Sequence, residues 1–381
     1  MARVGGNCDE QFQGVRNAFE KLILSGEENG ASLCVNLDGK EVVNLYGGYA
    51  DNTQTKPWTQ DTIVNMYSCT KVVTAMAMLK LVDRGLVSYT DKVAKFWPEF
   101  AANGKENIEI RHLLSHSSGV AGWEAPISYE EMCDVPKATA ALAAQAPFWE
   151  PGTMSTYHTW VYGHLIGEVV RRVTGQTLGE FVAKELAAPT GADVQIGCKE
   201  EDWPRVSDMI PPPSLDIPPI PADSFVIKLL NPLPLPEFAQ TETWRRSEIG
   251  AANGHGNAAG CVKLLSNVTL AGRGAKTEVL SKETADSIFQ EQTRGTDMFS
   301  GLYLRWGMGL ALRGDGETGI DWLPPGRVAL WGGWGGSICI LDFERKMTIS
   351  YVMNKMRADM PFTSPAREYL REIYKSIGIE L

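Results

Sequence analysis

The sequence predicts an α+β fold: an antiparallel β-sheet flanked by helices, with a mostly helical domain inserted into it. Three observations predict it. Residues 31–51 and 329–354, near opposite ends of the chain, carry runs rich in Val, Ile, Leu and Tyr broken by short turn signals. Between them, 71–84, 109–115, 137–145, 158–174 and 176–187 carry helical patterns. Amphipathic stretches at 9–25 and 365–377 bracket the whole. A sheet drawn from both termini then holds residues 1–64 and 252–381 as an α/β sandwich, and residues 65–251 form the inserted helical domain.

In 9–25, Phe12, Val15, Phe19, Leu22 and Ile23 share one helical face, and Asp9 is placed to cap the first turn. Asp38-Gly39 separates two β-rich runs, the composition of a two-residue hairpin turn. The run KVVTAMAMLKLV from Lys71 is apolar nearly all round and predicts a buried helix. Residues 204–237 hold too many prolines for regular helix, so they read as an extended, semi-rigid segment. Such a segment is either a lid or pocket wall, or a surface excursion. ALWGGWGG, SICILDFE and MTISYVMN read as three strands, with Glu344-Arg345-Lys346 turning the last two. Ser364 is the expected cap of the closing helix and Pro365 its first residue.

Composition narrows the function. In 381 residues, 46 are acidic and 36 basic, giving a formal net charge of -10. That balance disfavours nucleic acid and anionic membrane surfaces as partners. Apolar residues at 44% and charged ones at 22% are those of a soluble globular protein. The 7 cysteines are odd in number and scattered, with no CxxC pair, so reduced thiols are expected rather than disulfides or zinc. The start MARVGGNCDEQFQ lacks the apolar core of a signal peptide, and no apolar run approaches a bilayer span. The expected location is the cytoplasm.

The chemistry centres on Tyr67-Ser68-Cys69-Thr70-Lys71 at the start of the buried helix. Lys71 lies one turn beyond Ser68 on the same face. A serine hydroxyl needs a neighbouring base, and a buried lysine whose pKa falls on desolvation is one. The helix start also offers an unpaired N–H to an oxyanion. An S-x-x-K match arises about once by chance in a chain of this size, so its placement carries the weight. Tyr157 stands before a helix with Leu165, Ile166, Val169, Val170 and Val173 on one side. It is either a packed ring or, near a cation such as Lys71, a base or relay. Trp331-Gly332-Gly333-Trp334-Gly335-Gly336 puts four glycines in a strand, which points to close backbone approach or to a bulge.

Other groups carry less. His112 and His116 have i,i+4 spacing that suits zinc, but no third ligand accompanies them. His255 reads as a loop histidine bonded to backbone, His158 as a neighbour that tunes Tyr157 or faces solvent, and Cys69 as a packed thiol. No metal and no cofactor are expected.

These segments, in this order, resemble the serine β-lactamase and penicillin-binding-protein superfamily, and most of all its class C-like family VIII carboxylesterases. His112-Leu-Leu-Ser-His116-Ser-Ser-Gly119, GEVVRRVTG (167–175) and NGHGNAAG (253–260) extend the likeness from about residue 30 to 355. The resemblance implies a β-lactamase/transpeptidase-like fold, Ser68 as acylated nucleophile, Lys71 as its base partner and Tyr157 as the tyrosine of Y-x-N. The third motif falls on Trp331-Gly332-Gly333, with an alternative register at Trp334-Gly335-Gly336. In the first register the oxyanion hole is the N–H of Ser68 and of Trp334.

Two departures matter: Thr159 stands where the motif has Asn, and Trp331 where β-lactamases have the Lys of K-T-G. Loss of that cation removes the attraction for a substrate carboxylate. The expectation is therefore a serine hydrolase of small hydrophobic esters, with Trp331, Gly332, Gly333, Trp334, Thr159 and Trp160 binding the substrate. An acyltransferase passing the acyl group to a natural-product alcohol is the alternative. A β-lactamase or amidase, or a silent binding protein on the same scaffold, ranks below both.

Overall fold

A computed structural model describes residues 3–212, 224–358 and 363–381. Among them the strands are β1 (Val4–Cys8), β2 (Gly30–Leu37), β3 (Lys40–Gly48), β4 (Val64–Asn65), β5 (Val194–Ile196), β6 (Gly254–Gly256), β7 (Thr293–Thr296), β8 (Tyr303–Trp306), β9 (Ala311–Leu312), β10 (Val328–Gly332), β11 (Ile338–Asp342) and β12 (Met347–Met353). Nine form one antiparallel sheet in the order β1-β3-β2-β12-β11-β10-β9-β8-β7. The two ends of the chain meet where β2 pairs β12, from Leu37 opposite Met347 to Ala31 opposite Met353. The sheet is thus assembled from both termini, as the sequence pattern requires.

The β2–β3 hairpin turns on Asp38 and Gly39 at φ 47° and 86°, the doubly positive pair of a tight hairpin. β12 is buried along its whole length and β2 at every position but Leu37, so both faces of the sheet centre are covered. The terminal helices Gln13–Ser25 and Ser364–Ser376 pack on each other, with Phe19 and Tyr369 ring centroids 5.7 Å apart. The helix Ala258–Thr269 lies against β2 and β12. The Ala258 N–H donates to Ser32 Oγ at 3.1 Å, and Thr348 and Thr269 hydroxyls meet at 2.8 Å.

Two expected caps differ. Asp9 makes no capping bond; its carboxylate takes Lys40 at 2.5 Å, and a short 3-10 turn, Glu10–Phe12, precedes the helix. Ser364 is the first helical residue rather than the cap, which falls on Thr363. The helical pattern from 158 begins as helix only at Val161, so Tyr157 stays in a loop. The pattern over 176–187 is a helix, Leu178–Val182, continued by a π turn, Ala183–Ala187. Part of the Pro-rich segment, 213–223, lies outside the described residues. The rest includes the end of a 3-10 turn, Glu200–Arg205, and two further short helical turns, Val226–Leu229 and Pro236–Gln240, the last begun by its proline. Among the described residues, no helix is long and apolar enough to cross a membrane.

The helix Thr70–Asp83 is buried on nearly every side and packs on Val161–Thr174. A small sheet in the order β4-β6-β5 leads the chain into that helix.

Candidate active site

β4 delivers the chain to Met66, whose N–H donates to Gly254 O at 2.8 Å. The Thr70 hydroxyl then bridges two backbones: it donates to Tyr67 O at 2.5 Å and accepts from Gly254 N–H at 2.8 Å. Between these ties Tyr67 is held at φ 42°, a left-handed conformation that costs an aromatic residue about 1–3 kcal/mol and marks a turn fixed by its surroundings. Ser68 follows in a single 3-10 turn, Tyr67–Cys69, and is partly exposed.

Lys71 is 2% exposed. Its Nζ lies 3.4 Å from Ser68 Oγ, 2.8 Å from Thr159 O and 2.9 Å from Ala251 O. Burial holds its pKa well below that of an ordinary lysine. The segment carrying Ala251 is pinned to the same helix by Thr74, whose hydroxyl donates to Gly250 O at 2.6 Å.

Tyr157 is also buried, its ring under Lys71 Nζ at 4.6 Å from the centroid. Burial pushes its phenol pKa up, opposed by the Ser68 hydroxyl and the Trp331 indole, so the phenol keeps its proton. The Trp331 Nε1–H donates to the Tyr157 oxygen at 3.0 Å. A neutral donor therefore stands where the resemblance would place a lysine.

The end of β10 lies directly against the Ser68 turn. A Cβ on Gly333 would stand 2.3 Å from Met66 O, so only glycine lets the strand approach this closely. Trp334 follows, its ring edge-on to Tyr67 at 5.3 Å. Gly332 closes the strand opposite Ile338. Thr159 contributes its carbonyl to Lys71, while its buried hydroxyl has no protein partner. Trp160 is buried against Trp244 and Tyr129, its Nε1–H on Pro232 O at 2.8 Å. The Pro-rich segment also reaches the nucleophile turn, because Tyr67 donates to Pro236 O at 3.4 Å.

The histidines serve as framework. His112 Nδ1 accepts the Glu109 N–H that starts its helix. His116 Nδ1 accepts the His158 N–H at 3.1 Å, and its ring sits among Tyr157, Tyr162 and Trp306. His158 donates from Nδ1 to Thr156 O and bonds Ser118 through Nε2; burial pushes its pKa down to about 4. His255 donates to Gly197 O and Asn253 O, a backbone-bonded strand residue. Among the described residues no group of three His, Cys, Asp or Glu side chains is arranged to hold a metal. The Cys69 thiol is buried and points to Trp331 O.

Sequence reasoning missed two participants. Ala251 acts through a carbonyl, which no residue type announces. Asp297 is 140 positions from Tyr157 in the chain, yet its carboxylate accepts the Tyr157 N–H at 2.6 Å.

The Beta-lactamase family model matches residues 15–371. The esterase/beta-lactamase LipL of Mycobacterium tuberculosis is 34% identical over 212 residues, which is 55% of this chain and 49% of that protein. The chain spans about half the length of the curated relatives it matches, the esterase EstB of Burkholderia gladioli (48%) among them. Over 98% of this chain and all of the other, it is similar to a solved family VIII carboxylesterase, at TM-score 0.91 and 33% identity. A penicillin-binding-protein homologue from Caulobacter crescentus follows at TM-score 0.89 and 30% identity, with the same coverage. Matched by the family model over nearly its whole length and by these structures end to end, the chain belongs to the Beta-lactamase family.

Proposed function

We propose that the protein is a serine carboxylesterase that acts on hydrophobic esters through an acyl intermediate on Ser68. One observation carries this reading: the buried Lys71 amine has two carbonyl acceptors and one hydroxyl around it. A neutral amine has two hydrogens and one lone pair. Thr159 O and Ala251 O take the hydrogens, and the lone pair is left for the Ser68 hydroxyl. Burial lowers the amine's pKa and so favours that neutral form.

In the proposed reaction, Ser68 Oγ attacks the ester carbonyl carbon as Lys71 Nζ takes its proton. The N–H groups of Ser68 and Trp334 receive the oxyanion, and one such donor is worth on the order of a hundredfold or more in rate. The Tyr157 phenol passes its proton to the leaving alkoxide and is reprotonated by the Lys71 ammonium. Water then repeats the sequence on the acyl-Ser68 ester and releases the acid. Tyr157 is a relay in this scheme, because burial opposes its phenolate. The apolar wall of Trp331 and Trp334 supports uncharged acyl groups, and no lysine stands at Trp331 to attract a β-lactam carboxylate.

The test is mass spectrometry of the intact protein after exposure to a fluorophosphonate and to p-nitrophenyl esters. The expected result is one adduct on Ser68, with Ser68→Ala unlabelled, folded and inactive. Turnover surviving in Ser68→Ala overturns the reading. An added alcohol that captures the acyl group faster than water does makes the protein an acyltransferase instead.

A further inference from the structure

Tyr157 sits outside regular structure, so its placement depends on where its backbone bonds go. Three successive N–H groups donate to three separate long-range acceptors. Thr156 donates to His116 O at 3.1 Å, Tyr157 to Asp297 Oδ2 at 2.6 Å, and His158 to His116 Nδ1 at 3.1 Å. Asp297 is the one acidic side chain in this set, and it is 2% exposed. Buried carboxylates are rare unless their oxygens are fully bonded. Here the second oxygen, Oδ1, accepts both the N–H and the hydroxyl of Ser300 at 2.8 Å. The main chain closes the same loop, with Asp297 N–H on Leu302 O and Gly301 N–H on Asp297 O, each at 2.8 Å. At the loop tip, Phe299 is 37% exposed and its ring lies 5.7 Å from that of Tyr157.

We propose that Asp297 is a positioning residue for Tyr157: one carboxylate fixes the relay tyrosine's backbone and, through Ser300, the β7–β8 loop whose Phe299 walls the site. This rests on the reading of Ser68, Lys71 and Tyr157 given above. The negative charge of Asp297 also helps keep the Tyr157 phenol protonated, the form a relay needs. A shift of the Tyr157 oxygen by about an ångström costs on the order of a hundredfold in rate while leaving substrate affinity nearly intact.

The experiment is a double-mutant cycle on p-nitrophenyl butyrate turnover with Asp297→Asn and Tyr157→Phe. Asp297→Asn alone is expected to lower kcat about 10- to 100-fold with KM within about threefold. In the Tyr157→Phe background it is expected to cost less than about twofold, because the group it positions is gone. A loss as large in that background as in the parent protein overturns the proposal, and so does an unchanged kcat in folded Asp297→Asn. If Asp297→Asn does not fold, Ser300→Ala takes its place in the same cycle; it removes one donor to Oδ1 and is expected to show a smaller loss that again vanishes in Tyr157→Phe. Fluorophosphonate labelling runs in parallel. An unlabelled Ser68 in the active parent protein overturns the functional reading and this proposal together, whereas a labelled Ser68 with additive losses overturns the role of Asp297 alone.

Discussion

Lys71 Nζ stands 3.4 Å from Ser68 Oγ, with its remaining contacts spent on the carbonyls of Thr159 and Ala251. Among the described residues it forms no ion pair, and burial outweighs the groups around it and lowers its pKa. The neighbouring imidazoles of His116 and His158 are themselves held neutral by burial. The proposed base is this amine in its neutral form, one turn along from the Ser68 hydroxyl.

The pH dependence follows from the direction of that shift. The base form is the neutral one, so kcat/KM rises as pH increases through the Lys71 pKa, which burial places well below 10.5. Ester turnover should therefore reach its plateau far below the ordinary lysine range. Lys71→Met should lower kcat by about 100- to 10,000-fold across the whole profile. A profile still climbing near pH 10 would mean that the amine is charged at neutral pH.

Trp331 gives the Tyr157 oxygen a hydrogen bond from a neutral indole. Trp331→Phe keeps the apolar wall and deletes the donor. A lost hydrogen bond of about 1 kcal/mol corresponds to a several-fold drop. Steady-state kinetics should show that drop mainly in kcat, with KM within about threefold. A change in KM alone would make Trp331 a binding surface only.

Gly333 meets the carbonyl of Met66 so closely that a methyl group at its Cα has no space. Both sides of the contact are backbone, so neither can rotate away. Gly333→Ala should push the end of β10 off the Ser68 turn, costing about 1–3 kcal/mol in stability. Thermal unfolding should shift down, and ester turnover should fall at least tenfold. An alanine tolerated with full activity would show that the strand end and the nucleophile turn move independently.

The legible part of this molecule was the part written in local pattern. Asp38-Gly39, the apolar run from Lys71 and the strands near the C-terminus follow from residue type and period alone. Ser68, Lys71, Tyr157 and Trp331 were singled out in the sequence, and they meet in space. What was not legible depends on long-range choice. Asp9 has the composition of a cap, but Lys40 competes for its carboxylate. The helix Ala258–Thr269 was hidden because its first turn contains Gly260. That glycine is required by close packing, since a Cβ there would lie 2.5 Å from Asp193 O. Asp297 and Ala251 contribute through contacts 140 and 180 positions away in the chain, which no motif records.

Glu28 carries a stability prediction. Glu28 is buried beneath the tyrosines of β12 and the last helix, and its Oε1 accepts from the hydroxyls of Tyr351 and Tyr369. Burial pushes its pKa up from 4.5 to about 7, against the pull of those two hydroxyls. The folded state therefore binds a proton that the unfolded chain has already released between these two values. Stability attributable to Glu28 is accordingly lost as pH rises from about 4.5 through 7, and the loss levels off above that. The full difference is on the order of 3 kcal/mol. Glu28→Gln keeps an oxygen for both tyrosines and cannot ionise. Urea unfolding should find the variant close to the parent protein at pH 4.5, and the more stable of the two by up to about 3 kcal/mol at pH 8. A gap that narrowed as pH rose would show that Glu28 is charged in the folded protein and stabilised by its surroundings.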